Sequence, residues 1–249
     1  MVAGPLGIVG VGATRIEITF VGVDRFVDRH RPGVVYLVAR LPAGELAGLV
    51  DRLPIRQDSA AIGGFNRIHA VLGTSDDCIA AHPSDMAVAM AALGAHIETR
   101  TADGSGRTLS LDELYRPPGH TPHLETNLAE GELIVAVVLP PPPRGAQIYR
   151  KVRDRASYAF ALVSVAAVLA ADASKIHDAR VAFGSLAPKP WRSIDAELAL
   201  IGQLPSREIF ETAAEAGLKG ARGYGHNDFK IALARRMLVA VLEQLAGRR

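Results

Sequence analysis

Four consecutive prolines, Pro140 to Pro143, end a strand-like run over residues 132–139, and no other feature limits the fold as strongly. Proline lacks the amide hydrogen that a sheet ladder needs and fixes its own φ, so a central strand cannot pass through the run. A chain of this length can form one large domain or two modest ones, and the prolines mark the boundary between two. The segments to consider are therefore 1–58, 59–143 and 144–249, the first set apart by composition.

Residues 1–58 use arginine as their only long basic residue and are punctuated by Pro5, Pro32, Pro42 and Pro54. Short strands are expected over 16–21 and 34–39, and the spacing predicts a helix over 43–53. Gly7, Gly10 and Gly12 superficially resemble a dinucleotide-binding turn, but strand-like sequence follows them where that turn requires a helix. A plain terminal segment is the preferred reading.

From Ser59 onward the pattern alternates. A loop passes through Gly63 and Gly64, and a helix is predicted from Pro83 or Ser84 to about Leu93, with Ser84 as N-cap and Asp85 in the first turn, where the helix dipole favours negative charge. Strands are expected over 96–101, 107–110 and 132–139, then beyond the prolines over 147–153, 160–170 and 176–183, and two or three amphipathic helices over 206–245. The fold class is α+β, with an antiparallel sheet in the second part covered by helices on one side.

Bulk properties exclude several functions. With 49% hydrophobic and 22% charged residues the chain can bury a sizeable core. A net charge of +2, with both signs mixed along the chain, gives no concentrated field for a phosphate backbone, so nucleic acid is not implied. The single cysteine, Cys78, permits no intramolecular disulfide and no cysteine-built metal site within these residues. Residues 1–13 lack the positive start of a signal peptide, and no apolar run reaches the roughly 18 to 20 residues of a membrane span. A cytoplasmic location is expected.

No nucleophile elbow, Walker loop or zinc motif is present, and the nearest histidine pair, His120 and His123, flanks Pro122. Three local features bear on chemistry. Residues 78–85 join a possible soft ligand, Cys78, to the capped helix start; a buried cysteine before an ordinary N-cap is the plainer alternative. Residues 149–155 alternate cations, so that Lys151, Arg153 and Arg155 would share one strand face, or simply form a solvated edge. Residues 187–192 make a stiff turn around the only tryptophan, Trp191, for which packing is the default role.

Taken together, the runs Gly63-Gly64-Phe65-Asn66-Arg67-Ile68-His69-Ala70-Val71-Leu72-Gly73, Cys78 to Met90, Pro117-Pro118-Gly119-His120-Thr121-Pro122-His123, Gly131-Glu132-Leu133-Ile134, Tyr149 to Ala167, Lys189-Pro190-Trp191-Arg192 and Asn227-Asp228-Phe229-Lys230 with Leu233-Ala234-Arg235-Arg236 resemble one family. It is the FAD-binding subunits of molybdenum hydroxylases, and within it the aldehyde oxidoreductase branch whose flavin subunit also carries an iron–sulfur cluster. The resemblance covers about three quarters of the chain, from Ser59 to the C-terminus.

It implies an FAD-binding domain of the vanillyl-alcohol-oxidase-like type followed by a smaller domain of sheet plus helices. It also implies partners: a large molybdopterin-binding subunit and a small subunit with two-iron clusters, between which and an external acceptor the flavin passes electrons. A partner carrying an export signal would make the periplasm the alternative location.

Carried over by position, the resemblance gives Asp85 an FAD contact at the helix start, Ile134 an apolar backbone contact to the flavin region, and Lys151 a place near the isoalloxazine ring, where a cation stabilises charge developing on reduction. Ser84 and Arg153 are implied as supporting residues. Cys78 matches the last of four cysteines that hold a four-iron cluster in this branch, and the other three have no counterparts here.

The family's alanine-glycine-glycine-threonine loop around the FAD pyrophosphate also has no match in residues 1–58, while Gly63 and Gly64 stand where a second glycine motif belongs. The expectation is an incomplete pyrophosphate cradle in a truncated or frame-shifted product. The alternative function is a non-catalytic subunit that docks on partner chains without FAD.

Overall fold

The computed structural model describes residues 23–27, 35–39 and 61–247. The expected strand at 16–21, the helix at 43–53 and the N-terminal glycines lie outside them. Two antiparallel sheets dominate. The first is formed by β1 (Val23–Val27), β2 (Val35–Ala39), β3 (His96–Arg100), β4 (Thr108–Ser110) and β5 (Leu133–Leu139), in the order β1-β2-β5-β3-β4. The second runs in sequence order through β6 (Ala146–Val152), β7 (Val163–Ala171), β8 (Ile176–Gly184) and β9 (Trp191–Arg192). Residues 140–145, which hold the proline run, connect β5 of one sheet to β6 of the other.

The helices are α1 (Asp85–Leu93), the single turn α2 (Leu111–Leu114), α3 (Ile194–Leu200), α4 (Arg207–Gly217) and α5 (Phe229–Leu245). Each of the first four opens on a serine: Ser84, Ser110, Ser193 and Ser206 all accept a hydrogen bond from an amide of the first turn. At α2 the cap is reciprocal, because Glu113 reaches back to the Ser110 amide. Gly94 ends α1 at φ 72, the left-handed conformation glycine adopts without cost.

Alternation along the second sheet decides what packs where. Val163, Val165, Val181 and Phe183 enter one core with Leu200, Phe210, Leu238 and Leu242 from α3 to α5. Ala166 and Ala182 face the other way and join a second core with Val88, Met90 and Ala91 of α1 and Ile97, Leu109 and Leu111 beyond it. Sequence analysis expects helices on one side of this sheet. The helices of the second part, α3 to α5, do lie on one side, and α1, which comes from the first half of the chain, covers the opposite face. Gly184 makes the fit possible: a Cβ there would stand 2.5 Å from a Val88 methyl carbon and 2.2 Å from Ser164 Oγ.

Three other expectations change. The strand predicted over 160–170 begins only at Val163, and residues 153–162 form a loop. Because β6 ends at Val152, Lys151, Arg153 and Arg155 do not share a strand face. α3 and β1 are elements that periodicity did not reveal, both being too short for a distinct repeat.

Candidate functional site

The head of α1 meets the end of β6. Ser84 adopts an extended conformation and its Oγ takes the Ala87 amide at 3.2 Å, which sets Asp85 as the first helical residue. Lys151 lies opposite Ser164 on the ladder between β6 and β7. Its ammonium donates to Asp85 Oδ2 at 2.5 Å and to the Ala159 carbonyl at 3.4 Å. Alternation explains the placement: Ile148 and Val152 pack on the core beneath α5, and Arg150 bonds Gln244 of α5, whereas Tyr149 packs on the α1 side with Lys151. The Lys151 and Asp85 side chains retain 22% and 38% of their exposure, so the pair faces solvent in part and adds little to stability.

Tyr149 adds a polar atom to this corner. Its hydroxyl is buried without a well-formed hydrogen bond, although Asp85 and Ser164 lie beside it, and burial pushes its pKa up.

Beside the pair opens a cleft of about 460 Å³. One wall is Ile68, His69 and Ser185, the floor is Ala80, Ala81 and Pro83, and the far wall is built by Asp154, Arg155 and residues 159–162. Ala159 and Pro83 connect it to the cluster, since Ala159 accepts from Lys151 and Pro83 precedes the cap residue Ser84. Two contacts hold the far wall: Arg67 to Asp154 at 2.8 Å, and Arg155 Nε to the Tyr158 carbonyl at 3.0 Å. The rim is apolar and open, with Ile68 61% and Phe160 74% exposed. Size and character match a small-molecule site: a mostly apolar concavity with a few convergent polar groups.

The other residues singled out from the sequence lie elsewhere. Arg153 is exposed at the start of the 153–162 loop. Ile134 is half exposed on β5, opposite Thr99 at a bulge in β3, and so belongs to the first sheet rather than to the Asp85–Lys151 cluster. Cys78 closes a turn in which its carbonyl accepts from the Ser75 amide and its sulfur from the Ala80 amide. Among the described residues no group of three or more histidines, cysteines, aspartates and glutamates is placed to hold a metal ion.

Sequence reading gave no role to three residues that anchor the cleft's near wall. Lys230, fully buried at the start of α5, donates to the carbonyls of Ile68, His69 and Ser185 at 3.0, 2.8 and 2.6 Å. Asn227 donates to the Ala70 carbonyl at 3.0 Å, and Asn66 to the Tyr224 carbonyl at 2.7 Å. The available signal was the Asn227-Asp228-Phe229-Lys230 motif, which places a lysine in the positive first turn of a helix, against the dipole.

Residues 147–245 match the CO dehydrogenase flavoprotein C-terminal domain, and residues 23–142 match the FAD binding domain in molybdopterin dehydrogenase. The chain belongs to the molybdenum hydroxylase flavoprotein family. The second match begins at residue 23, so it extends into the segment before Ser59 that looked foreign in composition, and it takes in β1 and β2.

The chain is 52% identical over 187 residues to the aldehyde oxidoreductase FAD-binding subunit PaoB of Escherichia coli (strain K12), covering 74% of this chain and 55% of that protein. It is 32% identical over 131 residues to the glyceraldehyde dehydrogenase medium chain of Sulfolobus acidocaldarius, covering 53% of this chain and 44% of that one. The chain thus spans about half the length of the curated relatives it matches. In fold it is similar to reconstituted CO dehydrogenase from Oligotropha carboxidovorans, with a TM-score of 0.62 at 23% identity over 92% of this chain and 79% of that chain. Quinoline 2-oxidoreductase from Pseudomonas putida 86 gives 0.60 at 23% identity over 90% and 78%.

Proposed function

We propose that this chain is the FAD-binding, electron-transferring subunit of a molybdenum-dependent aldehyde or xanthine dehydrogenase, working with a large molybdopterin-binding subunit and a small subunit that carries two-iron clusters. The observation that carries the reading is the Lys151–Asp85 pair at the head of α1, joined through the Ala159 carbonyl to the lining of a cleft of about 460 Å³. The names of the relatives support it: one is an FAD-binding subunit of an aldehyde oxidoreductase, another the medium chain of a glyceraldehyde dehydrogenase. Aldehydes are accordingly the substrate class, to be oxidised on the large subunit.

The residues at the cleft suit a flavin. FAD, when bound, supplies the redox chemistry, while the protein supplies position and charge. Lys151 is a partly desolvated cation that can face the electron-rich edge of the ring. Asp85 accepts hydrogen bonds and so suits hydroxyl groups of the ribityl chain. The apolar rim at Ile68 and Phe160 gives the ring a surface to lie against.

In this reading Ser84 supports the site through the cap and Arg153 adds cationic charge beside it. Ile134 serves the flavin through backbone contact, and the first half is of the vanillyl-alcohol-oxidase-like type. A four-iron cluster does not fit these 249 residues, because thiolates are its ligands and Cys78 is the only cysteine.

The test is the visible absorption spectrum of the full chain after incubation with FAD and gel filtration. Retained flavin bands that Lys151→Met weakens are the expected result. A colourless protein at saturating FAD would overturn the reading in favour of a docking subunit without cofactor.

A further inference from the structure

Lys230 breaks two local rules at once. It places a cation in the first turn of α5, where the helix dipole opposes it, and it buries that cation completely with three carbonyls and, among the described residues, no carboxylate as partners. Burial lowers its pKa to about 8, the mark of a charge held at some cost. Such exceptions cluster where a structure serves something besides stability.

What Lys230 holds gives the reason. Its three acceptors come from two separate loops, Ile68 and His69 on one and Ser185 on the other, and these same three residues form the near wall of the cleft. None of the three sits in a helix or a strand, so no ladder fixes their backbone. Ser185 is held at φ 60, in the left-handed region that a non-glycine residue disfavours, and its carbonyl makes the shortest of the three bonds. Neighbouring groups add to the tie: the Leu186 carbonyl accepts the amides of Val71 and Leu72, and Asn227 takes the Ala70 carbonyl.

We propose that Lys230 is a positioning residue for the flavin cleft, its ammonium fixing the two loops of the near wall so that the cleft stands open before a ligand arrives. The inference rests on the flavin reading given above. Lys230 does not itself line the cleft and acts through Ile68, His69 and Ser185. A small displacement of such a wall removes pre-paid order, and misplacement on the order of 1 Å can cost about a hundredfold in a positioned site.

The experiment compares the full chain with Lys230→Met, which keeps length and removes charge, and with Leu238→Ala, which opens the core beneath α5 at a residue that does not line the cleft. FAD affinity and spectrum are read by titration, and amide hydrogen exchange is read on the FAD-free proteins. Lys230→Met is expected to weaken FAD by about tenfold or more. It is also expected to shift the spectrum of bound FAD and to raise exchange at residues 68–72 and 185–187 while α5 stays protected. Leu238→Ala, although destabilised, is expected to bind FAD as the parent does. If Lys230→Met binds FAD like the parent, or if Leu238→Ala loses affinity equally, the positioning role is overturned and the flavin reading stands. A parent chain that takes up no FAD overturns the flavin reading and this inference with it.

Discussion

The two sheets are built on different plans. The second is buried on both faces between α1 and the α3–α5 layer, and β7 shows almost no exposed residue along its length. The first keeps Leu133, Ile134 and Val135 of β5 open, at 65%, 46% and 36% exposure. Beside its single apolar core it carries polar fixtures. Glu132 is nearly buried and receives Arg107 through two hydrogen bonds, with Thr99 and the Ala129 amide completing its shell. One sheet is thus packed on both faces, and the other on one face, against α1, with a network around a single carboxylate added. Stability is expected to be concentrated in the second half, leaving the first adaptable at its exposed strand.

The largest effect is expected from Phe210→Ala, which empties a fully buried aromatic site in the larger core and should cost about 3–5 kcal/mol in denaturant unfolding. A loss below about 1 kcal/mol would show that this core does not dominate.

Gly73→Ala probes how the loop before α1 is tied to the second sheet. Gly73 sits at φ +60, and a Cβ there would come within 2.7 Å of the Trp191 ring. Overpacking and backbone strain together should cost about 1–3 kcal/mol, read as a fall in Tm. An unchanged Tm would show that Trp191 yields freely.

The polar half should fail in acid. Hydrogen bonds from Arg107, the Ala129 amide and Thr99 hold the Glu132 carboxyl at about 2, below its ordinary 4.5. A carboxylate depressed in the folded state stabilises fully above the unfolded value and loses that contribution as pH falls from about 4.5 towards about 2. Glu132→Gln should flatten unfolding against pH in that window. If the variant and the parent lose stability in parallel, the network is not what distinguishes this half.

Lys151→Met should change stability least, by under about 1 kcal/mol, because the ion pair is partly solvated. The same substitution should weaken FAD binding by about tenfold in the spectral titration, one charge-assisted contact being removed. Equal FAD affinity in parent and variant would take Lys151 out of the site.

The elements that position the site were legible wherever a local rule produced them. Ser84 and Asp85 announce the start of α1 by cap chemistry, the four prolines fall between β5 and β6, and the alternation of β6 separates Tyr149 and Lys151 from Ile148 and Val152. Alternation over residues 149–155 predicts one strand face for Lys151, Arg153 and Arg155, but strand ends are set by what the next residues pair with, and after Val152 the chain leaves the ladder. Asp85 and Lys151, 66 residues apart, were brought together only by the family resemblance, since spacing carries no trace of that contact.

By itself the sequence determined the two-part α+β plan, the capped helices and the residue types available for a cofactor. It did so because periodicity, proline and serine act within a few residues of where they stand. Tertiary structure alone decided that α1 crosses to cover the second sheet, that residues 153–162 fold into a cleft wall, and that Lys230 reaches Ile68, 162 positions away. Those outcomes depend on which buried carbonyls lack partners once the core has closed, a property of the assembled chain and not of any segment.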